Sequence, residues 1–186
     1  MIIGAAGGVG SVMTQLARQL TGLIVIGMAS RPEAVQWVRD LCAHHVIDNS
    51  KPLAEEVKSA SLAAPDYVVS LTNTEQHLAQ IVESITPQGK FGLIDDPFKG
   101  SVDIGALKAK ALSLRWELMF TCSLFQAHNM IEHHNLLTEV ANLVDAGQLK
   151  TTLGGHFGAI NSANLKRAHA FLESGRSRGR FVLKGF

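Results

Sequence analysis

Gly4-Ala5-Ala6-Gly7-Gly8-Val9-Gly10 stands between a short β-branched run, Ile2-Ile3, and apolar side chains that recur at helical spacing: Val9, Val12, Met13, Leu16, Ala17 and Leu20. No other feature of the chain limits its fold as much. A strand that runs through a glycine-rich turn into an amphipathic helix opens a βαβ unit. In that setting Gly4 serves the tight turn, Gly7 or Gly8 lets the main chain approach a pyrophosphate, and Gly10 lets the helix lie close to the strand. The free N–H groups and positive dipole end of such a helix suit an anion.

The rest of the chain keeps the same rhythm as far as Pro97. Leu23-Ile24-Val25-Ile26, His45-Val46-Ile47, Tyr67-Val68-Val69-Ser70 and Lys90-Phe91-Gly92-Leu93-Ile94 read as strands without polar alternation. Helical stripes separate them, including Val35, Val38 and Leu41, then Leu78, Ile81, Val82 and Ile85. Apolar strands that alternate with single helices imply a parallel sheet covered on both faces, an α/β doubly wound fold. Beyond Pro97, residues 112–119 supply a sixth strand. A helix striped by Met130, Leu137, Val140, Ala141 and Val144 ends near Gly147. Gly154, Gly155 and Gly158 read as a flexible connector. Leu165, Ala168 and Leu172 mark a last helix, and residues 180–183 a last strand.

The end of the second strand sets cofactor type. NAD sites usually place an acid there, about twenty residues beyond the glycines, to bind the ribose 2′-hydroxyl. Here the stretch is Gly27-Met28-Ala29-Ser30-Arg31. Arg31 suits a 2′-phosphate, with help from the Ser30 hydroxyl, and this favours NADP. Ser30-Arg31-Pro32-Glu33 also reads as a capping box with Ser30 as N-cap, which explains Ser30 and leaves Arg31 unexplained.

Several other chemistries fail on spacing. A phosphate-binding P-loop needs Lys and Ser/Thr after its last glycine, and Gly10 is followed by Ser11-Val12. The doublets His44-His45 and His133-His134 lack a further ligand at metal spacing, so the residues give no support for zinc. Asp95-Asp96 reads as crevice lining or a turn before Pro97. Lys and Arg number 17 against 16 for Asp and Glu, a balance that predicts no nucleic-acid partner. Residues 166–186 carry six bases (Lys166, Arg167, Arg176, Arg178, Arg180 and Lys184) against Glu173, read first as a solvated or docking face. Two cysteines, no signal-peptide pattern and no apolar run near 18 residues lead to the expectation of a cytoplasmic protein with no membrane partner.

Together these segments resemble the medium-chain dehydrogenase/reductase superfamily, in particular its zinc-type alcohol dehydrogenase-like and quinone reductase-like members. The resemblance rests on the glycine loop followed by Gln15-Leu16-Ala17, and on Leu41-Cys42-Ala43-His44-His45-Val46-Ile47-Asp48. It rests also on Pro87-Gln88-Gly89-Lys90-Phe91, and on Glu173-Ser174-Gly175-Arg176 with Gly179-Arg180-Phe181-Val182-Leu183. It implies a Rossmann-type domain over residues 1–149, with its first strand cut short. Residues 150–186 would be a helix-strand extension that returns to a catalytic domain. The GroES-like barrel that precedes the glycine loop in the superfamily is absent from this sequence, which is expected to be a fragment or a short product.

What the resemblance implies can be placed residue by residue. Gly7, Gly8 and Val9 would hold the pyrophosphate, and Ser30 and Arg31 the adenosine phosphate. Thr72, Ile94 and Asp95 would line the ribose and nicotinamide. Asn49 falls at the adenine position, where many relatives carry a tyrosine, so aromatic stacking is missing. Cys42 replaces a glycine just past a helix, where a left-handed backbone is common. A homodimer through the edge strand at 112–119 is also implied. The resulting expectation is an NADPH-dependent oxidoreductase, or its cofactor half, moving hydride to or from a small-molecule quinone, enone or carbonyl. No catalytic residue is assigned. The alternatives are a non-catalytic dinucleotide module or redox-sensing subunit, and a glycine-loop methyltransferase.

Overall fold

The structure is a computed structural model that describes residues 1–95 and 103–185. Six parallel strands form one sheet in the order β3-β2-β1-β4-β5-β6. They are β1 (Ile2–Ile3), β2 (Ile26–Met28), β3 (His45–Ile47), β4 (Tyr67–Ser70), β5 (Lys90–Leu93) and β6 (Ser113–Trp116). This is the Rossmann arrangement, in which strand order reverses at β1 and leaves a crevice beyond the strand ends.

Side chains alternate across the thin sheet. Ile3, Met28, Val68, Phe91 and Leu93 turn to one face, under α3 (Leu53–Ser59), α4 (Thr74–Ser84) and α5 (Ile104–Ala109), whose Leu53, Val57, Ile81 and Leu107 complete that core. Ile2, Ala5, Val25 and Ala29 turn to the other, under α1 (Gly8–Leu20) and α2 (Pro32–Asp40), where Ala34 and Val38 are buried. A short helix, α6 (Thr121–Leu124), and a long one, α7 (Ile131–Asp145), follow β6. Neither contains a buried residue. Gly147, at φ +69°, lies just past the end of α7, as the stripe predicts.

Several sequence expectations are corrected. The second strand starts at Ile26 rather than Leu23, and Leu23 and Ile24 are 42% and 63% exposed. Its neighbour β1 has only two residues, paired from Ile2 to Gly27, so residues before Ile26 have little strand to join. Of the apolar stripe of α1, Met13 and Ala17 pack half-buried against the core, while Val9 and Leu20 are exposed. The fully buried residues of the helix are Gly10, Ser11, Thr14 and Gln15, because it lies so close to the loop that small or hydrogen-bonded side chains fit there. Ser11 Oγ accepts from Trp37 Nε1 at 2.8 Å, and Gln15 exchanges bonds with the Lys150 backbone at 2.7 and 3.2 Å.

Gly154 and Gly155 are not a connector. They lie in β7 (Leu153–His156), which pairs in parallel with β8 (Arg180–Val182) across α8 (Ser162–Glu173). A Cβ on Gly155 would stand 2.6 Å from the Phe181 ring, so these glycines make room for an aromatic cluster of Phe157, Phe171 and Phe181. The C-terminal elements are stitched to the glycine loop. Gly179 N donates to Ala6 O at 2.8 Å, and the Arg178 guanidinium lies over Trp37.

Candidate functional site

A cavity of about 520 Å³ opens where β1, β2 and β4 end, at the reversal of strand order. The glycine loop forms its floor. Gly4 sits at φ +80°, a conformation that strains any residue with a Cβ, and its carbonyl accepts from Gly7 N at 3.0 Å. A Cβ on Gly10 would land on Gly4 O and come within 2.6 Å of Ala5 Cα. The loop and helix therefore meet through backbone alone. Gly7 is the N-cap of α1 and supplies no side-chain cap, and no acid occupies the first turn. The helix N-terminus thus brings unneutralised N–H groups to the cavity.

Gly7, Gly8, Val9, Ser30, Arg31, Asn49 and Thr72 all line this one space. Ser30 is not the N-cap of α2. That position belongs to Arg31, in an extended conformation, with Pro32 at N1 and no side-chain cap bond. Arg31 O accepts from Ala34 N and Val35 N, both at 2.9 Å, so the first turn is closed by backbone and the Ser30 hydroxyl is released from capping. Arg31 Nε lies 3.8 Å from Glu33, while its Nη1 is buried with no partner among the described residues. Asn49 is held by its neighbours. Asp48 accepts from Ser50 N and Oγ at 2.9 and 2.7 Å, and these two bonds pull its carboxyl below the usual range.

Ile94 and Asp95 follow β5 and are not in the cavity wall. Asp95 instead accepts from Thr74 N at 2.9 Å and from the Thr74 hydroxyl, which also bonds Ser70 Oγ. That ties the end of β5 to the start of α4. Asp96 and Pro97 lie outside the described residues.

Sequence reasoning missed several wall residues. Arg180 comes from β8, and a Cβ on Gly8 would collide with its guanidinium, so a cation rests directly against the glycine loop. The basic surplus of the last 21 residues was the available signal for it. His77, on α4, had none. Its ring is half-buried, burial lowers its pKa, and Nδ1 is buried without a partner among the described residues. No acid is present among the described wall residues, which include two arginines.

A family model described as zinc-binding dehydrogenase matches residues 41–183. The chain belongs to the zinc-binding dehydrogenase family. It is 31% identical over 183 residues to a zinc-type alcohol dehydrogenase-like protein of Staphylococcus aureus (strain MSSA476), covering 98% of this chain and 54% of the relative. The crystal structure of a Rhizobium etli CFN 42 protein, named for a zinc-dependent alcohol dehydrogenase, superposes with a TM-score of 0.92 at 54% identity. That match takes in 100% of this chain and 54% of the other. A mycobacterial protein solved with NADPH shares the fold, at a TM-score of 0.79 and 23% identity over 98% of this chain and 55% of its own. The chain thus spans about half the length of the relatives it matches. These are medium-chain dehydrogenase/reductase proteins, and the matched part is their Rossmann half.

The family's name raises the question of zinc. Among the described residues, no group of three or more His, Cys, Asp and Glu side chains could hold a metal ion, so these residues do not fit a zinc centre. A dinucleotide is different. The glycine floor, the exposed helix N-terminus and the orphaned Arg31 Nη1 all fit a phosphorylated ligand.

Proposed function

We propose that the chain is the cofactor-binding part of an NADPH-dependent oxidoreductase that moves hydride between the cofactor and a quinone, enone or carbonyl/alcohol substrate. The observation that carries this reading is the joining of Arg31 and the glycine loop in one cavity whose described wall has no acid. The bound dinucleotide supplies the hydride chemistry at its nicotinamide ring. The chain's own residues bind and orient it. The N–H groups at the start of α1 and the Arg180 guanidinium face the diphosphate. Ser30 and Arg31 take the 2′-phosphate, Thr72 lies toward the ribose, and Asn49 stands at the adenine end. Ile94 and Asp95 lie beyond that cavity at the end of β5, where Asp95 braces the start of α4 through Thr74, and they would meet the nicotinamide only where the cofactor extends past the cavity.

This reading separates the two nicotinamide cofactors. Arg31→Ala removes a charge-assisted contact worth about 1.5–3 kcal/mol, or roughly 10- to 100-fold in Kd. NADPH should weaken by that factor in a fluorescence titration, while NADH stays within about twofold. Equal losses for both cofactors would reject the assignment of Arg31. Binding of NADPH without turnover of any quinone or aldehyde favours the non-catalytic module for this chain.

A further inference from the structure

We infer that His77 belongs to the cofactor site and shares with Arg31 the recognition of a phosphate on the adenosine ribose. The inference rests on the dinucleotide reading above and adds a residue from a different part of the fold. Strand order β2-β1-β4 sets Arg31, after β2, and His77, on the first turns of α4, on either side of the glycine loop. Each has a nitrogen buried in the wall of the same cavity with no partner among the described residues: Arg31 Nη1 and His77 Nδ1. A buried polar atom left unpaired loses its hydration and gains nothing in return. Two such atoms in one wall are best explained by a ligand that satisfies both.

The chemistry narrows that ligand. Arg31 Nη1 only donates, so its partner must be an acceptor. A neutral imidazole offers one donor and one acceptor, and so can join Arg31 on an anionic oxygen. A phosphate oxygen set can accept from both at once. An adenine amino group would satisfy His77 alone. Glu33 already lies near Arg31 Nε, and Asp95 is committed to Thr74, so neither carboxylate competes for these two nitrogens.

The test uses the intact chain and two nicotinamide-free probes, 2′-phospho-ADP-ribose and ADP-ribose, measured by calorimetric titration. His77→Leu keeps the bulk of the ring and removes both nitrogens. It should weaken 2′-phospho-ADP-ribose about five- to tenfold and leave ADP-ribose within about twofold. His77→Asn, which restores a polar atom near the place of Nδ1, should recover part of the loss. In the unsubstituted chain, the His77 ring nitrogen signals should shift with 2′-phospho-ADP-ribose and stay with ADP-ribose. That measurement decides the matter even if a variant fails to fold. Equal losses on both probes, or equal ring shifts with both, overturn the inference and leave the dinucleotide reading intact. If the unsubstituted chain binds neither probe, both fall.

Discussion

Cys42 holds φ +68° two residues beyond the end of α2. Its N–H donates to Arg39 O at 2.8 Å and the Ala43 N–H to Val38 O at 3.3 Å, the paired bonds of a Schellman ending that usually uses glycine. Cys42→Gly should therefore stabilise the chain by about 0.5–1 kcal/mol, read as a higher urea midpoint at unchanged slope. A lower midpoint would contradict the strain.

At the scale of elements, α1 depends on Gly10. Gly10→Ala places a methyl on Gly4 O and against Ala5 Cα, both backbone atoms that cannot move aside cheaply. We expect a loss of about 1–3 kcal/mol or more, with cofactor binding lost alongside it, and an unchanged denaturation midpoint would contradict the close approach. The alternation of elements was legible in the sequence because buried parallel strands and single crossover helices carry distinct patterns. The glycine loop and Arg31 were legible from position along the chain, and Asn49 and Thr72 through the family resemblance, and these residues line one cavity. The inward face of α1 was hidden. Periodicity reads Val12 and Leu16 as core, but closeness to the loop demands Gly10, Ser11 and Thr14 there. The glycines of β7 misled for the converse reason, since three phenylalanines far apart in sequence require the room. His77 and Arg180 reach the cavity through tertiary contact, which no local pattern encodes.

At the level of the whole molecule, β6 ends the strand order among the described residues, and Leu118, Met119, Phe120, Leu124 and Phe125 just after it are 55–77% exposed. An edge strand beside a broad apolar surface suits an isologous contact with a second copy. We expect a concentration-dependent dimer in sedimentation experiments, and Leu114→Lys, at the edge, should shift it to monomer. A monomer at all concentrations would remove that expectation. The C-terminal segment closes back on the glycine loop through Gly179, Arg178 and Arg180, so cofactor and chain end should stabilise one another. This chain, about half the length of its relatives, should hold a dinucleotide and prefer NADPH. The decisive measurement is a titration of the unsubstituted chain with NADPH, NADH and S-adenosylmethionine under one set of conditions. NADPH should bind in the micromolar range, NADH at least tenfold more weakly, and S-adenosylmethionine should give no response. Binding of S-adenosylmethionine, with neither nicotinamide cofactor held below millimolar, would refute the dinucleotide reading.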